Sequence, residues 1–384
     1  MSKSSRERIL AAINCEEPDH VPFVPSFIGP WVDEYWKGKG WMMDMLQLGL
    51  DQFVSLNAPS SFHPAVRVRM WKEHPTGSRY PLLFKVYETP AGDLRQVVNQ
   101  TNDWPHGDDI PLLSDHVAAG GRSVEFLIKA PEDVEKLRYL LWRPTNEQVV
   151  DFHEEAKNAK ALAEKHGLLI DAVGGYGGTY LLQLCGLHRL LVWTIKMPEV
   201  VIDMLEIVHE WDLKRVRLLL EEDPDMVTHD GWYENPVFWS VKGYKKMLEP
   251  LISEEIEMVH STDAKFRYIM TMGLMPLADT LKKMGIDIIY GVDPTVERVS
   301  PEEIRSKFGH EICLWCGVNE NVTFQQGSSE ELRWAVVEAI RAFGPGGGYV
   351  LSTMGSILQK EGWERNGPVM IETWRKYGRY PIKR

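Results

Sequence analysis

From residue 131 onward the sequence repeats one pattern, an amphipathic helix followed by a short apolar strand, and this alternation most constrains how the chain folds. Helix 147–166 leads into Leu168–Val173, helices within 179–221 into Met226–Asp230, and helix 241–262 into Phe266–Met270. Helix 276–284 then leads into Ile286–Tyr290, helix 301–308 into Ile312–Gly317, and helix 329–343 into Tyr349–Ser352. Parallel strands require crossovers of this kind, and strands covered on both faces read as continuous apolar runs. Six such repeats, with the N-terminal region supplying the remaining strands, predict an α/β fold of the (β/α)8 TIM-barrel type. No glycine-rich phosphate fingerprint opens the first helix, which disfavours an open dinucleotide-binding sheet.

The part before this alternation reads differently. Ser5–Asn14 predicts a short helix, broken by Pro18 and Pro22 ahead of a strand. Lys85–Thr89, a Pro90–Asp93 turn and Leu94–Val98 read as a hairpin, and hence as a small β insertion. The expectation is one domain over 1–384, with an N-terminal extension and insertion in 1–130 and the main repeats in 131–384. The aromatic residues Phe27, Trp31, Tyr35, Trp36 and Phe62 are expected to cover the barrel mouth.

A formal charge of −12 repels a phosphate backbone, and no basic stripe with interleaved aromatics overrides it, so nucleic acid is not an expected partner. The opening residues Met1–Arg8 are charged, and no apolar run reaches the roughly 18 residues a membrane span needs. A cytoplasmic protein without membrane contact is expected. Its four cysteines are too few and too scattered to staple the chain, so reduced thiols are expected.

Several short pieces occur in a telling order. Ser5–Asn14 is followed by Glu17-Pro18-Asp19-His20-Val21-Pro22, then by Glu88-Thr89-Pro90-Ala91-Gly92 and by Ile128–Asp133. Asp230-Gly231-Trp232, Gly285-Ile286-Asp287 and Gly346–Leu351 follow, with Asn366 and Tyr377-Gly378 near the end. In this order they resemble the uroporphyrinogen decarboxylase superfamily, specifically the branch that contains corrinoid-linked methyltransferases. The resemblance runs almost end to end and implies a TIM barrel. The arginine-rich motif by which the porphyrin decarboxylases of that superfamily meet their polycarboxylate substrate is replaced here by Pro25–Trp31, which contains no arginine. The resemblance also matches Met270, Met272 and Met354 to the zinc ligands of its thiol methyltransferases. Thioethers are poor Zn²⁺ ligands, so no metal site is assigned and the three methionines are expected to form an apolar wall.

His229–Asn235 ends an expected strand and opens a loop at the barrel mouth, where TIM-barrel chemistry sits. Asp230 and His229 are the expected acid–base residues, with Tyr176 as a further proton donor. Substrate contacts are expected from Tyr180, Trp232, Tyr233, Glu234, Asn235, Met270, Met272, Met354, Cys316 and Asn319. The Gly174–Gly178 turn offers close backbone approach to a ligand, or simply a tight entry to a helix. Asp293 and Glu297 follow a strand and belong to the mouth, whereas His260 belongs to the opposite, stability face. Cys313 and Cys316 lie three apart and so face opposite sides of a strand, with Cys316 expected towards the mouth and Cys313 in the core.

Together these readings predict a methyltransferase that moves a methyl group from a small aromatic methyl ether to a corrinoid (cobalamin) carried on a separate protein. No tightly bound cofactor is expected, and a homodimer is left open. The alternatives are a cofactor-free decarboxylase or lyase acting on a small acid, with Arg67, Arg69 or Arg267 as cationic anchor, and an inactive ligand-binding barrel.

Overall fold

The computed structural model describes residues 3–37, 40–118 and 122–382. In chain order its strands are β1 (Phe53–Asn57), β2 (Arg67–Glu73), β3 (Leu82–Thr89), β4 (Gly92–Asn99), β5 (Ser123–Glu125) and β6 (Leu169–Gly175). They continue with β7 (Met226–His229), β8 (Lys265–Ile269), β9 (Ile288–Val292), β10 (Cys313–Val318) and β11 (Tyr349–Thr353). One parallel sheet of seven strands runs β1-β6-β7-β8-β9-β10-β11, each strand after β6 reached through helices. A separate antiparallel sheet runs β2-β3-β4-β5.

The expected eight-stranded closure is therefore corrected to seven ladder strands among the described residues. Between β11 and β1 lies the segment Val21–Phe27. Val24 N–H donates to Leu351 O at 3.0 Å, Leu351 N–H to Pro22 O at 2.8 Å, and on the other side Asp51 N–H to Phe23 O at 2.9 Å. Pro22 and Pro25 have no N–H to donate, so the segment makes isolated bridges rather than a ladder. The insertion is also larger than the expected hairpin. β3 and β4 are that hairpin, and β2 and β5 flank it on either side.

Strand alternation divides the parallel sheet into an inner and an outer face. Leu169, Met226, Ile288, Cys313 and Val350, all near the starts of their strands, gather into one buried cluster with Ile9, Ala12 and Ile13. The helix Ser5–Ile13, fixed at its start by a Ser4–Glu7 capping box, thus closes the N-terminal end of the sheet. Leu314, Cys316 and Val318 belong to the larger core on the helix-facing side. Above the mouth, Phe27 lies 4.7 Å from Trp363 and 5.0 Å from both Trp36 and Trp41, ring centre to ring centre.

Arg8 fixes the closing helix. It is buried and pairs with Asp19 and with the fully buried Asp51, which also accepts hydrogen bonds from Ser5 Oγ and Phe23 N–H. Burial pushes the Asp51 carboxyl up to about 6 even with Arg8 opposing that shift. Arg8→Ala leaves this carboxylate buried without its cation, and urea denaturation should show a loss of about 3–5 kcal/mol. A change below about 1 kcal/mol, the range of surface pairs, would contradict the role given to Arg8.

Candidate active site

At the C-terminal end of the parallel sheet is a cavity of about 230 Å³, lined by residues from β1 and from β8 to β11 and from the loop after β7. Its arrangement starts with alternation along β7. Met226 lies in the bottom cluster, Thr228 bonds inward to Asp171, and Asp230 lines the cavity. His229 consequently points the other way, towards the helices.

The inner side is built around Arg267 of β8. Its Nε donates to Thr228 Oγ1 at 2.7 Å and its Nη2 pairs with Asp171 of β6. The guanidinium carbon lies over three rings, 5.1 Å from Phe53, 5.7 Å from Tyr290 and 5.0 Å from Trp315. Burial pushes the Asp171 carboxyl up, and Arg267 opposes the shift. Phe53, Tyr290 and Trp315 with Arg267 form the aromatic side of the cavity, and Asp230, Trp232, Ser26 and Ser356 stand around the rest. Asp230 is positioned through its backbone, whose N–H donates to Gly175 O at 2.8 Å, while its Oδ1 accepts from Trp232 N–H at 3.3 Å. A Cβ on Gly355 would stand 3.4 Å from the Trp232 ring, so this indole reaches across the opening to the loop after β11.

The outer side holds a second polar cluster. His229 Nδ1 donates to Glu255 Oε2 at 2.6 Å, and Nε2 donates to Glu234 Oε2 at 3.1 Å. Tyr268 O–H also donates to Glu234 Oε2, at 2.8 Å, and Gly178 N–H donates to the other oxygen of Glu234. Burial opposes a charge on His229, but Glu255 and Glu234, one on each nitrogen, outweigh it and hold the imidazole protonated well above its usual range.

This cluster explains the glycine-rich turn. A Cβ on Gly175 would run into Glu255 and His229, one on Gly177 into Glu234, and one on Gly231 into Tyr268. These glycines make room for the buried ion cluster. Tyr176 and Tyr180 stack on each other with ring centres 4.3 Å apart, beside Arg215 and Trp211 of the helix Pro198–Leu220. Asp212 of that helix accepts both Tyr176 N–H and Gly177 N–H at 2.9 Å, and burial raises its own carboxyl to about 6.

The other expected site residues fall as follows. Trp232 lines the cavity. Tyr233 packs on Phe238, Glu234 belongs to the histidine cluster, and Asn235 caps the next helix through Val237 N–H. Met270 continues β8 on the side of Tyr268 and is wholly buried in the outer core, so it shares no cavity wall with the half-buried Met272 and Met354. The expected methionine wall is corrected on this point. Cys316 is likewise corrected: Trp315 takes the inward position, and Cys316 is enclosed on the helix-facing side, where burial raises its thiol. Asn319 bonds to Asp293, tying together the loops after β9 and β10. Among the described residues no three His, Cys, Asp or Glu side chains form a set able to hold a metal ion.

Sequence reading missed Phe53, Tyr290 and Trp315 as lining residues, and Asp171 and Glu255 as partners. A signal for one pair was present. Asp171 and Arg267 are opposite charges inside otherwise apolar strands, and each requires the other if the strands share a face.

The family model of uroporphyrinogen decarboxylase (URO-D) matches residues 122–376. No curated protein matches the chain by sequence. Among solved structures, a methyltransferase from Methanosarcina mazei aligns over 98% of this chain and 99% of its own, with 15% identity and a TM-score of 0.58. This is a likeness of fold. A B12-independent methionine synthase from Shewanella sp. W3-18-1 aligns over 61% of this chain and 67% of its own, with 14% identity and a TM-score of 0.41.

His229→Gln removes the cation from between two buried carboxylates and should lower stability by about 3–5 kcal/mol in urea denaturation. Because the folded value of His229 lies above its unfolded value of about 6.5, its contribution is complete below about pH 6.5 and is lost as pH rises towards the folded value. In that window wild-type stability should carry a slope of about −1.4 kcal/mol per pH unit from this residue, absent in the variant. Equal slopes in both proteins would show that His229 is not held as a cation.

Proposed function

Because the chain belongs to the uroporphyrinogen decarboxylase family, we propose that it is a methyltransferase taking its methyl group from a small aromatic methyl ether. The acceptor in this reading is a Co(I) corrinoid on a separate carrier protein, which supplies the nucleophile. What supports the reading is the cavity itself: three aromatic rings on one side, and one carboxylate, Asp230, on the other.

The chemical difficulty is the leaving group. When the methyl–oxygen bond breaks, the bonding pair stays on oxygen, and a phenolate or alkoxide leaves poorly unless a proton or a fixed positive environment meets the developing charge. Asp230, in its protonated form, donates that proton to the ether oxygen. Phe53, Tyr290 and Trp315 hold the ring, and Trp232 across the opening keeps water from the reacting bond. His229 and Tyr176 leave the list of proton donors in this mechanism. His229 acts on Asp230 through the loop that Glu234 ties down, and Tyr176 packs against the helix layer. No step passes through zinc, since the residues at the family's zinc positions include one methionine buried in the outer core.

The decarboxylase alternative needs a cationic anchor. Of its three candidates, Arg267 lines the cavity, but Asp171 already balances its charge, while Arg67 and Arg69 stand on the exposed strand β2. This balance favours an uncharged ether over a small acid.

The test is absorbance of chemically reduced cob(I)alamin, with and without a corrinoid carrier, during incubation with the protein and a panel of methoxy-aromatics and methylamines. Enzyme-dependent loss of the Co(I) band with a methoxy-aromatic, matched by release of the free phenol, is the expected result. Asp230→Asn should then reduce kcat about 10²- to 10⁴-fold while the protein keeps its melting temperature. Absence of any change across the panel with a competent carrier would overturn the reading.

A further inference from the structure

Strand β2 ends the antiparallel sheet, and all seven of its residues are exposed although Val68, Met70 and Trp71 are apolar. One edge pairs with β3 in unbroken register from Arg67–Glu88 to Glu73–Leu82. Among the described residues no strand pairs with the other edge. It carries no proline and no bulge, two of the usual means by which free edges are blunted, and of the third, charge, it holds both signs.

The charges on β2 divide into two kinds. Arg69 pairs with Glu88 and Lys72 with Asp108 within the chain. Arg67 has no ion pair among the described residues, and Glu73 accepts a hydrogen bond from Trp71 Nε1 at 2.7 Å but meets no cation. These two unmatched charges are the first and last residues of the strand.

We propose that β2 is a self-association edge, pairing antiparallel with β2 of a second copy about a two-fold axis through Met70 and joining two four-stranded sheets into one of eight strands. That register sets Arg67 opposite Glu73 twice, once at each end. Arg69 falls opposite Trp71, a cation–ring pair, Val68 opposite the alkyl stem of Lys72, and Met70 opposite Met70. Every position therefore meets a complementary one, as an isologous interface requires. The free backbone N–H and C=O groups of the edge are satisfied at the same time. The strand edge buries less than a standard interface, so the dimer should dissociate at roughly micromolar concentrations.

The experiment uses two single variants of the full chain, Arg67→Glu and Glu73→Arg, in sedimentation velocity from about 1 to 100 µM, the range set by that affinity. The wild type should dimerise. Each variant alone places like charges opposite each other at both ends and should dimerise about tenfold or more weakly. Mixed in equal amounts, the two variants should recover dimerisation to within about threefold of wild type, because only between unlike copies do opposite charges then face each other at both ends of the strand pair. Matching thermal melts of the two variants and the wild type check that the sheet is intact. A wild type that stays monomeric over this range would overturn the proposal. So would dimerisation indifferent to either substitution, as would a mixture no better than its components; the last two outcomes would point to another face or another partner strand.

Discussion

Two carboxylates hold one imidazolium where water does not reach, and the upper part of the parallel sheet is arranged around that triple. His229 comes from a strand, Glu255 from the helix that follows it, and Glu234 from the loop between them. None of the three can be buried charged without the others. Together they determine where the glycines must lie, where Tyr268 points and how the loop carrying Asp230 leaves the sheet. Asp230 needs no contact with the triple to depend on it, because its backbone is anchored to Gly175, whose missing side chain is what admits Glu255 and His229.

The same strands carry a second polar assembly on their inner face. Asp171, Thr228 and Arg267 face the axis, with aromatic rings over the guanidinium, while the histidine cluster faces outward. The two assemblies differ in what they leave open. On the outer side both ring nitrogens of His229 and the hydroxyl of Tyr268 are engaged, which makes that side a brace. The inner side borders a space large enough for a small ring, lined by apolar surface and one carboxylate.

Much of the architecture was legible because the relevant signal is periodic. Helices 301–308 and 329–343 were readable from sequence to the residue, and six of the seven parallel strands to within one or two residues at their ends, while β1 at 53–57 was given no bounds. What was not legible depends on direction or distance. Adjacent residues such as His229 and Asp230 look equivalent in a motif, yet alternation sends them to opposite faces. Tyr176 and Tyr180 follow a glycine-rich turn that resembles a ligand cradle, but the space in question belongs to Glu234 and Glu255, the latter far along the chain. The segment at 21–27 reads as a strand by composition, and its prolines decide that it bridges without laddering. The end of β10 illustrates the same limit: alternation alone placed Cys316 towards the mouth, and only the phase of the strand shows that Trp315 owns the interior.

The helix at 5–13 seals the sheet from below against residues drawn from strands along the whole chain, ending with Val350. On a ribosome, this helix emerges long before the last surface it must cover exists. It has to wait, solvated or sheltered, while the strands assemble, and the bottom of the sheet stays unsealed until the strand that carries Val350 has been made. Completion of the floor is thereby coupled to completion of the sheet. A product released early would expose the same apolar layer that the finished protein hides, and would present it to whatever cellular machinery surveys for unfolded protein.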